Sequence, residues 1–179
     1  MLIARYAKIV MSLSLAAFLL LVTFDNLTDY DSNFQFVRHV MSMDTTFPGN
    51  ALMYRSVTTP ALWHLAYAII IASQGAAGIL FLVGAIRLFQ ARHAPGVVFN
   101  QAKTCAIAAS ALGFVIFFFM FMVVGGEWFS MWQSANWNAQ DAAFRFYMAV
   151  LGVLIFVSLP DSDLAQPAAS PQRRRRNKT

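Results

Sequence analysis

The chain has 179 residues, 59% of them hydrophobic and only 12% charged, with a formal net charge of +5. A soluble domain carries about a quarter charged residues, so this composition cannot coat a water-soluble globule. No Asp, Glu, Lys or Arg lies between Arg55 and Arg87, or between Lys103 and Glu127, and each gap exceeds the roughly 20 apolar residues that cross a bilayer as a helix.

The expected fold class is all-α: a four-helix transmembrane bundle with a short amphipathic helix in the first periplasmic loop. The first span is expected over about residues 7–24. Arg5 and Lys8 beside an apolar run resemble a signal peptide, but Phe24-Asp25-Asn26-Leu27 offers no small-x-small cleavage site, which favours an uncleaved anchor.

Residues 25–59 form an acidic loop carrying Asp25, Asp29, Asp31 and Asp44. Within it an amphipathic helix is expected over about 33–43. Gln35, Arg38, His39 and Ser42 share an arc of about 100°, while Phe34, Phe36, Val37, Val40, Met41 and Met43 take the opposite side. Asp31 or Ser32 can cap its N-terminus. Such a helix belongs in the membrane interface plane or over the outer mouth of the bundle. Phe36, Val40, Met43 and His39 are its candidate contact residues. Phe47-Pro48-Gly49-Asn50 reads as a turn.

The second span, about 60–89, opens with proline at the first helical position after Thr59. Its length of about 45 Å exceeds a hydrocarbon core of ~30 Å, so it must tilt or protrude. Ser73, Gly75, Ala76, Ala77 and Gly78 permit a close helix neighbour, and Gln74 among them can hydrogen-bond another helix. A short basic turn spans 91–96. The third span, about 104–124, has a small-residue face (Ala106, Ala109, Ser110, Gly113), then a run of phenylalanine, and Gly125-Gly126 is expected to end it. Cys105, the single cysteine, excludes an intramolecular disulfide and reads as a small packed hydrophobe. A loop with Trp128, Trp132 and Trp137 leads to the fourth span, about 139–159, stopped by Pro160. Residues 1–160 are thus a four-span membrane domain. Residues 161–179, polar, Pro-rich and basic, are expected to be a disordered cytoplasmic tail.

Ten of the thirteen Lys and Arg residues fall on one side if the N-terminus is cytoplasmic, leaving Arg38, Arg55 and Arg145 outside. That bias puts both termini in the cytoplasm and all four tryptophans at the outer interface. Arg173 to Arg176 and Lys178, beside a span, suit topology and anionic headgroups rather than nucleic acid.

No phosphate loop, nucleophile elbow, zinc motif or dinucleotide fingerprint is present, and no metal or cofactor is expected. What remains is a candidate outer polar cluster: Asp25 and Asn26 on the first span, His64 on the second, Glu127 on the third, Asp141 and Arg145 on the fourth. Arg145 sits near the hydrocarbon boundary, where ionisable groups face the bundle and pair; its expected partner is Glu127 or Asp141, the latter four residues away on one face. The cluster reads either as an outward-facing pocket or as charges that pin helix ends, and its shallow depth favours the second. His64 raises a haem reading, but His39 lies on the loop helix and His93 at the cytoplasmic side, so no second intramembrane histidine exists.

The run Phe24-Asp25-Asn26-Leu27-Thr28-Asp29-Tyr30, then Asn33-Phe34, Phe36-Val37, His39-Val40 and Met43-Asp44-Thr45, resembles the signature of a bacterial family of predicted small integral membrane proteins of unknown function. The four-span pattern and Glu127-Trp128-Phe129 with Trp132 fit it too, so the resemblance covers about residues 5–160. It implies the bacterial inner membrane and carries no activity, cofactor or catalytic residue. The functional expectation is a non-catalytic accessory or assembly subunit whose partners are the lipid bilayer and either another membrane protein or copies of itself. The alternatives are a small transporter or channel using the outer polar cluster, and a redox protein holding haem or quinone.

Overall fold

The computed structural model describes residues 2–164, so the Arg-rich segment of the expected tail lies outside the described residues. Four of its helical stretches are long and apolar enough to cross a membrane. Helix α1 covers Leu2–Thr28 and α2 covers Tyr30–Ser42; α3 covers Pro60–Gln90 and α4 covers Gly96–Ala102. Helix α5 covers Thr104–Phe114 and continues as a π-helical segment, Val115–Trp128, before α6 at Gln140–Ser158. Among the described residues there is no strand.

Each span is longer than its apolar run suggested, or differently bounded. Helix α1 begins before Arg5 and Lys8 because both side chains are buried with partners, so the helix loses nothing by carrying them. It ends at Asp29, whose φ of −119° and ψ of 61° break the helix and turn the chain into α2. Helix α2 starts three residues earlier than expected. Asp29 occupies the capping position, not Asp31 or Ser32, and its carboxylate accepts a bond from the Ser32 hydroxyl at 2.7 Å. Pro60 opens α3 as read from the sequence. Around Phe47–Asn50, the Asn50 N–H donates to the Phe47 carbonyl at 3.2 Å and Gly49 has φ of +77°, the left-handed third position of a type II turn.

Gly125-Gly126 does not end the third span. The backbone widens to i→i−5 hydrogen bonding from Val115 and closes with Phe129 N–H on the Val124 carbonyl at 3.0 Å. Both glycines lie inside this segment, and only Gly126 has a close neighbour. A Cβ on Gly126 would stand 2.6 Å from Gln140 Nε2, and one on Gly125 3.6 Å from Met131.

In the bundle α1 packs along α3, α3 along α5, and α6 against α5 and the π segment. Glycines allow close approaches of α3 to α1 and α5. A Cβ on Gly78 would lie 2.9 Å from the Leu20 side chain, and one on Gly84 would lie 2.8 Å from the Ala106 backbone nitrogen. Around these contacts Leu19, Phe81, Leu88, Ala106, Ile116 and Val157 are fully buried. With lipid as apolar as the side chains, such close van der Waals contact is a main source of helix association.

Helix α2 does not lie free in the interface plane. It folds over one end of the bundle, the cap end, and buries Val37, Val40 and Met43. A loop clasp holds it there: Thr45 donates to Ser134 at 2.8 Å, and Gln133 Oε1 accepts from Phe47 N–H at 3.1 Å and Asn50 Nδ2 at 3.2 Å. The opposite end, where α1 begins and α6 finishes, is the tail end.

Gly84→Ala pushes a methyl into backbone and is expected to destabilise the detergent-solubilised protein by about 1–3 kcal/mol. Gly152→Ala, where a Cβ meets nothing within 4 Å, should be neutral or slightly stabilising through helix propensity. Thermal unfolding followed by tryptophan fluorescence separates the two.

Candidate functional site

The six residues of the expected polar cluster do not converge. Asp25, His64, Glu127, Asp141 and Arg145 are exposed, and only Asn26 is buried. Arg145 makes no ion pair with Glu127 or Asp141; the ion pairs among the described residues are those of Asp161 and of His39 with Asp44. The reason is azimuthal. Helix α6 packs through Ala143, Val150, Val153 and Val157, and at 3.6 residues per turn Arg145 lies about 160° round the helix from Ala143. Asp141 points away from the bundle with it, and no side-chain hydrogen bond joins them.

His64 serves α2 instead. Its Nδ1 is 2.9 Å from the Tyr30 hydroxyl, and its ring stacks on Phe34 with centroids 4.2 Å apart. His39 bonds Asp44 at 2.9 Å and stacks on Trp137 at 4.6 Å. The histidines therefore do not face each other across the bundle, and His93 is exposed. No group of three or more His, Cys, Asp or Glu that could hold a metal forms among the described residues.

What the cap end does assemble is a chain of amides. Asn33 Nδ2 donates to Asn26 Oδ1 at 2.8 Å, and Asn26 Nδ2 donates to Gln74 Oε1 at 2.9 Å. The Tyr67 hydroxyl reaches the Asn26 carbonyl at 3.4 Å. This joins α2, α1 and α3, and it confirms the expectation that Gln74 bonds another helix. Thr23 and Gly75 pack closely alongside, so the small residues around Gln74 let α1 approach near enough for the bond. Beside the amides lies a cavity of about 210 Å³, walled by Asn26, Asn33, Gln74 and aromatic rings including Phe117 and Phe146. A second, apolar cavity of about 220 Å³ lies under α2. The two share Phe36, Val37, Ile70 and Phe121 as walls.

The tail end holds a second polar centre, which sequence reasoning missed. Asp161 Oδ2 lies 2.5 Å from Lys8 Nζ and 2.6 Å from Lys103 Nζ, with all three side chains at most 6% exposed. Both lysines also donate to the Leu159 carbonyl, at 2.7 and 2.6 Å, where cations complement the C-terminus of α6. Asn100 exchanges two bonds with the Asp161 backbone, each 3.0 Å. Arg5, with no exposed surface, donates to the carbonyls of Arg92, Ala94 and Ser162 and lies over the Phe99 ring. Residues 161–163, assigned to the tail by composition, are thus packed against the bundle. A signal was available: only two of the eight carboxylates, Asp161 and Asp163, fall on the basic side. By charge count alone, Arg5, Lys8 and Lys103 mark only topology. Burial by itself would raise the Asp161 pKa, but hydrogen bonds and charge from Lys103 and Lys8 outweigh it and hold the carboxyl below its ordinary range. Cys105 is half-buried rather than packed away, and its Sγ accepts from Arg87 at 3.1 Å.

Four apolar helices, a capped end and a charge-closed end define an integral membrane protein. Over residues 4–160 the chain matches the family described as predicted small integral membrane protein (DUF2165), and it belongs to that family. No curated protein and no solved structure matches it.

Asp161→Asn leaves two buried lysines without their counter-charge and is expected to cost about 3 kcal/mol or more. Because folding lowers the Asp161 pKa, the wild-type contribution is complete above the ordinary carboxylate value of about 3.9 and is lost as the pH falls through the lower folded value. Unfolding midpoints measured from pH 7 to pH 3 should therefore fall in acid for the wild type, and Asp161→Asn should lack that part of the loss.

Proposed function

We propose that the chain is a non-catalytic accessory or assembly subunit of a larger complex in the bacterial inner membrane, with both termini cytoplasmic and the cap end periplasmic. The observation that carries this reading is Arg145. It stands on the exposed face of α6 between Phe144 and Met148, themselves 50% and 45% exposed, and has no ion-pair partner among the described residues. It lies about 7.5 Å along the helix from Gln140. Ionisable side chains inside a span face other protein and pair, so a helix of another subunit, bearing a carboxylate near its outer end, completes the contact. Exposed Glu127 and Asp25 give a second copy of the chain suitable groups as well.

The orientation is supported by the positive-inside bias. The tail end collects Arg5, Lys8, Arg87, Arg92 and Lys103, while the cap end holds the acidic loop. Nothing in the two polar centres pairs a nucleophile with a base, and the family description specifies no reaction, which is in keeping with a non-catalytic role.

Size-exclusion chromatography with light scattering on protein extracted in mild detergent tests this. The wild type is expected as a defined assembly larger than one chain, and Arg145→Leu is expected to release single chains that remain folded. A wild type that is a monodisperse single chain, or an Arg145→Leu assembly of unchanged mass, contradicts the proposal.

A further inference from the structure

The amide chain at the cap end is incomplete in a way that points to a ligand. Gln74 is only 4% exposed. Its oxygen accepts from Asn26, but its amide nitrogen donates to no described residue, although an amide carries two N–H donors. The nitrogen is therefore free to donate into the cavity that Gln74 lines. This is the 210 Å³ cavity, whose other walls apart from Asn26 and Asn33 are apolar or aromatic. The adjoining 220 Å³ cavity has no charged or amide side chain in its lining. Together they reach the lower part of the roughly 300–1,000 Å³ range of small-molecule sites, which are mostly apolar with a few placed polar groups. The wall common to both includes Phe121 of the π segment, and π-helical backbone is found frequently at functional sites.

We infer that these cavities bind one carbonyl-bearing amphiphile drawn from the bilayer. Its carbonyl oxygen accepts a hydrogen bond from Gln74 Nε2, and its apolar portion fills the space under α2. In this structure Asn33 donates to Asn26 and Asn26 donates to Gln74, so the Gln74 group turned to the cavity is a donor. That selects a neutral acceptor such as an ester or quinone carbonyl. No charged side chain lines either cavity, so a bare anion or cation is not the occupant. This inference stands apart from the docking role of Arg145, which lines neither cavity.

The full-length, delipidated protein in detergent would be titrated with three probes and followed by native mass spectrometry: a short-chain ubiquinone, a diester phosphatidylglycerol, and the diether phosphatidylglycerol of the same chains. Saturable one-to-one binding of the quinone, or of the diester lipid at least tenfold tighter than the diether, is expected; which of them binds identifies the source of the carbonyl. Gln74→Leu should weaken the bound probe tenfold or more. Ile70→Phe, which puts a larger ring into the wall shared by both cavities and leaves the amides intact, should do the same and decides the matter if Gln74→Leu does not fold. Equal binding of diester and diether lipid without quinone binding overturns the inference. So does the absence of any saturable probe, or an affinity unchanged in Ile70→Phe.

Discussion

Hydrocarbon offers no hydrogen bonds, so every polar group that enters the bundle must find its partner within the protein. At the tail end one carboxylate serves two of the buried cations. Asp161 pairs with both Lys8 from α1 and Lys103 at the start of α5, while the same lysines bond the Leu159 carbonyl just past α6. Three helices that would otherwise end independently are tied at a single oxygen. Arg5 extends the tie to the turn after α3 through the Arg92 and Ala94 carbonyls. A buried ion set of this kind is weak evidence of net stability, because desolvating the charges costs as much as pairing them returns. What it imposes is register, since the helices meet only where the charges can be satisfied.

The cap end solves the same problem with neutral groups. Asn33, Asn26 and Gln74 pass hydrogen bonds from α2 through α1 to α3, and the loop clasp of Thr45, Ser134 and Gln133 holds α2 from its other side. Between the two ends, close packing at Gly78 and Gly84 does the rest. The division has a consequence for function. The charged end buries Lys8, Lys103 and Asp161 in mutual contact, whereas the amide end holds two adjoining cavities and one donor unspent.

Much of the architecture was legible because hydrophobic length and turn chemistry are local properties. Pro60 after Thr59, the turn at Pro48-Gly49, the amphipathic segment centred on Val37 and the four apolar runs all appear in the structure near where they were read. The placement of α2 over the bundle mouth, one of two readings from its polarity, also holds. The candidate site was not legible in the same way. Asp141 and Arg145 are correctly spaced to share a face, yet spacing does not say whether that face turns inward, and here it turns out. Composition assigned Asp161 to a disordered tail because its partners come from residues 8 and 103, distant in sequence. Gly125-Gly126 reads as a helix end, since two glycines give no hint that a widened helix runs through them.

Asp161 and the two lysines act as one unit joining α1, α5 and α6, and a double-mutant cycle between Asp161 and Lys103 tests this most directly. Unfolding free energies in detergent would be measured for the wild type, Lys103→Met, Asp161→Asn and the double variant. A coupled unit predicts a double variant less destabilised than the summed single changes, by about 0.5–3 kcal/mol. Additivity within about 0.5 kcal/mol would show that the two side chains do not interact, and would contradict the account.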